Sequence, residues 1–570
     1  MIIAFLSLII LTISLIGYSF FVKYVFLNQE KKSIENYDFI LGVLLIGTLS
    51  IFLNFFFKLS YFFEGLILIG FLLYLISRFT YKNNIEYLSL FLILFLFTFF
   101  TYDNGLTYDS PLYHQQILKW QSDNKIIFGL INLESRYAMV SFWHSFLAIF
   151  SRNLFTFNPA YLFGLIPFAL LCNSSLVKKN ELIADHYLFF SIIALLSFSV
   201  IHPFKDGIIL NHLGSPETDI INIVFFIFTF YFFLKFAETK EVSSLIYIIL
   251  FSIVAMLSKI TYLHLLLLII YCLIISPNLL LLIKLQIVKN YMIYFLIFIA
   301  SVVWLVKSLI VSGCFVFPIY FTCLDVSWGD INLTKYHLLE TKSWSRDTDL
   351  RMNFGNFKYT LYSFDWLMPW ITKYLLKTSI LQGLLLSFLI LFISKFIRKS
   401  VQNKKIWIKS NINFFIYLVY FPLSLLLFMQ SPEVRYAHGL IISIIAYNLL
   451  LSYKSLFNSR ILFNNKSKKI FIFSLLILLC LKNFTNFELL FENHKDQYDH
   501  SNIQLIGKIN NYEIYKPDYS TNKSVFCFDF KKICVYKNII EGGKDYYAIP
   551  YIEKPVEILK VNSYLFVIKK

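Results

Sequence analysis

What most constrains this chain is a succession of nearly uncharged apolar stretches, each close to the length that crosses a bilayer. A spanning helix needs about 20 apolar residues. Such stretches lie at residues 3–27, 38–57, 61–78, 85–101, 154–176, 187–204, 219–237, 244–258, 260–282, 290–311, 378–396, 411–430, 437–453 and 470–483. They predict an all-α polytopic membrane protein with about 13–14 transmembrane helices. Met139–Phe150 is apolar but too short to span, and we read it as not crossing. Charged residues make up only 15% of the chain and hydrophobic ones 58%. A soluble domain averages roughly 25% charged, so a lone water-soluble globule is excluded, and so is disorder. The opening MIIAFLSLIILTISLIGYSFFVKYVF lacks the basic start and small-residue cleavage site of a secretory signal, and is expected to remain as a helix.

Net charge is +17. In a soluble protein that would suggest nucleic acid; here the cations fall in alternate connections between the apolar stretches. Lys31 with Lys32, Arg78 with Lys82, Lys178 with Lys179, Lys235 with Lys240, and Lys284 with Lys289 are such pairs. Larger groups occur at 395–409 and 454–469. The positive-inside rule places all of these in the cytoplasm and both termini outside it. The division that follows is an N-terminal set of helices over 1–101, a core over 102–483 with outer loops 102–153 and 312–377, and a small extracytoplasmic domain over 484–570. In that last part EIYKP, SVFCFDF, ICVYK and SYLFVIKK read as short strands, giving a β-rich outer domain. Of the seven cysteines, Cys527 with Cys534 and Cys314 with Cys323 could each close a short disulfide in an oxidising compartment. The first pair is the stronger expectation, because a hairpin there would bring two strands together.

Nearly every polar motif falls on the outer side of this topology. In TYDNGLTYDSPLYHQQILKW, Ser110-Pro111 predicts a helix start, with Asp109 just before it and His114 about one turn in. Leu112, Tyr113, Ile117 and Trp120 would form an apolar stripe on the membrane surface. In NHLGSPETDII, Ser215-Pro216 repeats the signal, with Glu217 and Asp219 in the first turn of a spanning helix. The plain reading of all three acids is that they complement helix dipoles. The sharper one is a site that holds a cation or accepts a hydroxyl proton, with Asp103 as a second acid in the first loop. Lys259 lies between two apolar runs, where it either snorkels to water or meets a lipid phosphate. Lys307, Arg346 and Arg435 are further cations on that side, and Arg435 sits in a very short connection. His144 in SFWHSF reads as a hydrogen-bonded core histidine.

TYDSPLYHQQILKW, SRYAMVSFWHSF, LGSPETD, LSKITYL, VKSLIVSGCFVFP with LDVSWGD, KSWSR and SPEVRYAHG occur in this order. Over about residues 100–440 this pattern resembles a family of uncharacterised bacterial multi-pass membrane proteins, which are themselves similar to the GT-C integral-membrane glycosyltransferases. The resemblance implies a GT-C-like fold in the bacterial inner (cytoplasmic) membrane and a part in building the cell envelope. It implies a catalytic acid in the first outer loop, matched by Asp109 and next by Asp103. It also implies a lysine beside the lipid phosphate, matched by Lys259. Lys307 stands where such enzymes usually carry an arginine or asparagine. Ser110 follows Asp109 where a second acid is common, so a divalent cation is not assured. Four helices before Asp109 also exceed the usual one.

The chemistry is coherent by itself. Sugar transfer from a polyprenyl phosphate has a phosphate leaving group, which needs cations to receive its charge. The attacking hydroxyl needs one base. Asp109 is the candidate base; His114, Glu217, Asp219, Lys259, Lys307, Arg346 and Arg435 are candidate substrate contacts; Trp344, Trp366 and Trp370 could stack on sugar or line a lipid groove. The expected partners are a polyprenyl-phosphate donor and a glycan or lipid acceptor. The competing readings are a polymerase of lipid-linked glycans, which would depend on paired arginines, and a lipid or glycan flippase, which would line a central cavity with charge.

Overall fold

The computed structural model describes residues 2–27, 33–101, 109–154, 158–177, 182–201, 211–275, 288, 290–346, 360–375, 378–401, 410–456 and 465–482. In the tail it describes 503–509, 512–517, 533–534, 543–544, 552–553, 556–561 and 564–569. Its helices are α1 (Ile2–Phe26), α2 (Phe39–Phe56), α3 (Phe63–Thr80), α4 (Tyr87–Thr101), α5 (Gln115–Asp123), α6 (Phe142–Ala148) and α7 (Leu165–Val177). They continue with α8 (Ile183–Ile201), α9 (Asp219–Thr239), α10 (Val242–Ser258), α11 (Leu266–Ile274), α12 (Tyr291–Ser312) and α13 (Ile331–Arg346). The rest are α14 (Leu367–Trp370), α15 (Ser379–Val401), α16 (Ser410–Phe414), α17 (Phe421–Phe428), α18 (His438–Leu456) and α19 (Asn465–Lys482).

Among the described residues nine helices are long and apolar enough to cross a membrane, and four shorter apolar ones accompany them. Helices are what such sequences must form, because hydrocarbon offers no partner for a stray backbone N–H or C=O. Thr12, Ser19, Thr48 and Thr98 donate their hydroxyls to the carbonyl one turn back, so even these small polar groups are satisfied within their own helix. In α9, 94% of the most apolar window is buried, against 17% in α3. The first is therefore the central post, ringed by Phe39, Phe251 and Tyr247 around its own Phe225, Phe228 and Phe232. The second turns Leu68, Phe71, Leu72 and Ile76 outward, an apolar face suited to lipid. Helix direction is legible from the contacts. Gly42 of α2 packs on Leu15 and Ser19, and Asp38 pairs with Lys23, so α1 and α2 are antiparallel. Ser14 and Gly17 meet Gly70 while Tyr24 meets Tyr81, so α1 and α3 are parallel.

Both long connections that carried the polar motifs gather at one end of the bundle. There Asn54, at the end of α2, donates to the carbonyls of Gln121 and Asn124, each at 3.0 Å. A second apolar core forms at this end from Ile117, Ile131 and Tyr137 of the first loop, Val311 of α12, and Leu333 and Tyr336 of α13, joined by tail residues. The stripe expected to lie on a membrane surface therefore faces protein instead: Leu112 and Ile117 are buried, and Trp120 packs on the same core.

The tail is β-rich, as the alternating pattern predicts. Strands β1 (Ile503–Ile509) and β2 (Tyr512–Pro517) are antiparallel with a bulge between Leu505 and Gly507, and β3 (Ile533–Cys534) adds parallel to β2. Strands β4 (Val556–Val561) and β5 (Tyr564–Lys569) form a hairpin. Strand β5 docks on the first loop: the Phe128 N–H donates to Leu565 and the Val567 N–H to Phe128, both at 2.9 Å. Asn132 donates to the carbonyls of Val567 and Trp328, and Lys569 pairs with Asp330 at 2.6 Å. Gly129, at φ 70°, lets the loop come this close, since a Cβ there would lie 2.3 Å from the Val567 oxygen. Among the described residues a disulfide joins Cys314 to Cys323. Its cause is local: the Phe315 N–H donates to the Thr322 carbonyl at 3.1 Å, setting the two cysteines opposite one another. Cys527, in the pair favoured from sequence, lies outside the described residues.

The tightest helix contact gives a test. A Cβ on Gly17 would fall 1.9 Å from the Gly70 carbonyl oxygen, while one on Gly65 would meet nothing. Gly17→Val should destabilise the detergent-purified protein by about 1–3 kcal/mol, the usual cost of overpacking. Gly65→Ala should leave its thermal unfolding unchanged.

Candidate functional site

The site is built where three connections meet at the loop-bearing end. The first is the start of the segment leading into α5. Asp109 occupies the position before a one-turn π-helical stretch, Ser110–His114, and its side chain caps nothing. It forms an ion pair with Nη1 of Arg435 instead. The second is the entry to α9. Thr218 is the cap residue, so Asp219 opens the helix and Glu217 lies just ahead of it, where its N–H donates to Ser215 Oγ at 3.2 Å. Asp219 pairs with Lys259, which closes α10. The third is the turn between α17 and α18, which supplies Glu433, Arg435 and Tyr436.

Tyr436 stands between the two pairs. Its ring centroid is 4.3 Å from Lys259 Nζ and 5.6 Å from the Arg435 guanidinium, a range in which an aromatic face attracts a cation. All four charged side chains are largely but not fully enclosed, with relative exposures of 14% for Asp109, 20% for Arg435, 6% for Asp219 and 18% for Lys259. Ions held at such a boundary have lost much of their hydration and are costly to leave alone, which is why each acid has a cation. Burial raises the Glu433 carboxyl, Arg435 opposes that, and Asp109 and Asp219 add to it. Burial also pushes the Tyr113 hydroxyl well up, with Asp109 adding to the effect. Arg136 joins this neighbourhood: burial disfavours its charge, but Glu134, Glu340 and Asp109 outweigh that and hold it protonated. Its guanidinium lies 6.0 Å from the Tyr113 ring.

Behind Asp109, His114 and His144 form a buried pair, Nδ1 to Nε2 at 2.9 Å. One ring must donate and the other accept, so this edge holds one proton. Burial keeps His114 well below its usual range, with His144, Lys259 and Arg435 adding to the effect and Asp219 opposing it. Burial, then Lys307 and Lys259, bring His144 down to about 3.

The structure thus brings Asp109, His114, Asp219, Lys259 and Arg435 together, with Glu217 near Tyr113. It does not bring Lys307 or Arg346 into that cluster. Lys307 turns to Gln121 Oε1 at 2.8 Å and Ser145 Oγ at 3.0 Å. Arg346 lies over Trp366 and donates to the carbonyls of Thr360, Met429 and Gln430 at 3.1–3.3 Å. With Trp370, whose indole donates to the Pro432 carbonyl at 3.0 Å, it holds the turn that presents Arg435. Trp344 is partly exposed. Asp103 lies outside the described residues. Glu433, Arg136, Tyr113, Tyr436 and His144 were not singled out as site residues from sequence. Glu433 had a visible signal, two positions from Arg435 in the same short turn. Among the described residues no three His, Cys, Asp or Glu side chains gather to hold a metal ion.

Such a cluster of paired acids and cations, at one end of an apolar helix bundle, defines a multi-pass membrane protein with a polar site at the bundle's rim. The chain belongs to the family described as Domain of unknown function (DUF8201), whose model matches residues 1–442. No curated protein and no solved structure matches it.

The histidine pair carries a pH test. Both rings have folded pKa values below the unfolded value of about 6.5, so the unfolded chain takes up more protons as pH falls. Stability is therefore full above that value and declines below it, by on the order of 2 kcal/mol per histidine between about pH 7 and pH 5. Thermal unfolding should show the decline in the wild type and a much flatter profile in a His114→Gln/His144→Gln double variant. An unchanged slope in the double variant would remove the pair as its source.

Proposed function

We propose that this protein is a membrane glycosyltransferase that takes a sugar from a polyprenyl-phosphate donor at the outer face of the bacterial inner membrane, on a GT-C-like scaffold of about 13–14 crossings with both termini outside. The observation that carries the reading is the convergence of Asp109–Arg435 and Asp219–Lys259 on Tyr436. One base and two cations within one small neighbourhood are what this transfer requires.

In this reading the donor phosphate takes the place of the carboxylates as the anion facing Arg435 and Lys259, which frees Asp109. The acceptor hydroxyl gives its proton to the Asp109 carboxylate as its oxygen bonds to the anomeric carbon. The bond from that carbon to the phosphate oxygen breaks, its electron pair stays on the phosphate, and the two cations stabilise the charge. Arg435 suits this role because its planar fork can grip two phosphate oxygens at once. Arg346 contributes by holding the Arg435 turn rather than by touching the donor. A divalent cation is not required for any step.

Four measurements test this. A reporter active only outside the cytoplasm should be active after Lys570 and silent near Lys404; the reverse pattern would move the cluster to the wrong face. A deletion strain should lack one sugar in its envelope lipids or glycans. In that strain Asp109→Asn should insert normally, since Asn can still accept from Arg435, yet lose transfer by about 100- to 10,000-fold. Arg435→Lys keeps the charge but not the fork, and should weaken donor binding while folding survives. Full restoration of the sugar by Asp109→Asn at normal expression would eliminate Asp109 as base.

A further inference from the structure

The segment that follows α12 is apolar where a connection is usually polar. From Ser308 to Leu324 no residue is charged, and the disulfide between Cys314 and Cys323 closes a loop within this stretch. One side of the loop is fixed to the protein: Cys314 and Phe317 are buried, and the Phe317 ring centroid lies 5.1 Å from that of His337. The other side is bare. Phe315, Tyr320, Phe321 and Leu324 are all exposed, Phe321 by 79%. Large apolar side chains grouped in this way are costly to leave in water and mark a surface that something covers.

Two features identify what covers it. The first is that the loop satisfies its backbone from within. The Phe315 and Leu324 N–H groups donate to the Thr322 and Gly313 carbonyls at 3.1 and 2.9 Å, and the Ile319 N–H donates to Val316 at 2.8 Å. The Val316 N–H donates to the Thr322 hydroxyl at 3.1 Å, which itself donates to the Ile319 carbonyl at 2.7 Å. Polar groups turned inward and apolar side chains turned outward suit a loop at the edge of hydrocarbon, where unmet backbone groups are costly. The second is its level. Helix α12 has 22 residues, about 33 Å at 1.5 Å per residue, against about 30 Å for a hydrocarbon core. The loop therefore begins where that core ends. Along α12 itself Phe295, Phe298, Val302 and Val306 are exposed; spaced three or four apart, they form one outward stripe that leads up to the loop. Lys335 Nζ lies 5.8 Å from the Tyr320 ring, and a tyrosine beside a lysine is characteristic of a membrane–water boundary. We propose that the Cys314–Cys323 loop is an interfacial anchor, with Phe315, Tyr320, Phe321 and Leu324 among the glycerol and upper acyl carbons of the leaflet at the loop-bearing end, and Lys335 at its headgroups. It requires no particular headgroup and does not depend on the transferase reading.

Photocrosslinking of the full-length protein in nanodiscs of phosphatidylethanolamine and phosphatidylglycerol tests it. With p-benzoylphenylalanine in place of Phe321, mass spectrometry should find lipid adducts, as it should with the label in place of Phe298 on the α12 stripe. In place of Val561, an exposed apolar residue of the tail hairpin, the label should give none. Should the Phe321 variant fail to fold, the label in place of Tyr320 should give the same lipid adducts. Crosslinked protein dimers without lipid adducts would overturn the anchor in favour of a second copy of the chain. Neither product at the loop, or lipid adducts as abundant at Val561 as at Phe321, would overturn it outright.

Discussion

A charge drawn out of water at the rim of an apolar bundle is tolerable only when an opposite charge meets it, and the architecture of the loop-bearing end follows from that requirement. Asp109 finds Arg435 across 326 residues of sequence, and Asp219 finds Lys259 across 40. Each pairing fixes a loop to a helix end: the first loop to the turn before α18, and the start of α9 to the end of α10. Tyr436 adds a single aromatic surface that both cations share. The helices thus determine where the charges emerge, and the charges determine how the loops settle over the helices.

The same requirement operates at the opposite end with a different outcome. Lys23 and Asp38 are fully buried there and bonded at 2.7 Å, with the Tyr247 hydroxyl donating to the same carboxylate group. Asn36, Asn173 and Ser89 form a chain of side-chain hydrogen bonds nearby at 2.7–2.9 Å. These are closed, fully matched networks that fasten α1, α2, α4, α7 and α10 together. The four paired charges of the site are instead partly exposed, while Lys307, buried at the same end, is matched only by neutral oxygens. Complete satisfaction suits a fastening. Pairs that remain within reach of solvent suit exchange with an incoming anion.

Much of this was legible in the sequence. The apolar stretches located the helices, because in lipid a run of about 20 apolar residues has few alternatives to a helix. Alternation located the strand at SYLFVIKK, and the acids and cations nearest the helix ends included the members of both ion pairs. What sequence could not supply was partnership. Nothing in the spacing says that Asp109 meets Arg435, or that Lys307 turns away from them; a rotation of one residue about the α12 axis redirects a side chain by about 100°. Arg346 looked like a ligand contact and is spent on three carbonyl oxygens, which only the folded turn brings within its reach. Of the two cysteine pairs open from spacing, Cys314 and Cys323 are closed by a local backbone pairing that spacing alone does not show. The stripe on α5 had the right period and the wrong neighbour, because periodicity reports that a face is buried and not what buries it.

The docking of β5 on the first loop has a consequence for how the molecule is made. Phe128 and Asn132 are synthesised early, yet the backbone groups they bond to, at Leu565 and Val567, follow more than four hundred residues later. During synthesis the first loop must therefore wait, with Asn132 and the Phe128 face uncovered, until nearly all the helices have been inserted. The loop that carries Asp109 reaches its final packing as one of the last events of biogenesis, because the strand it docks against is made only after the bundle beneath it.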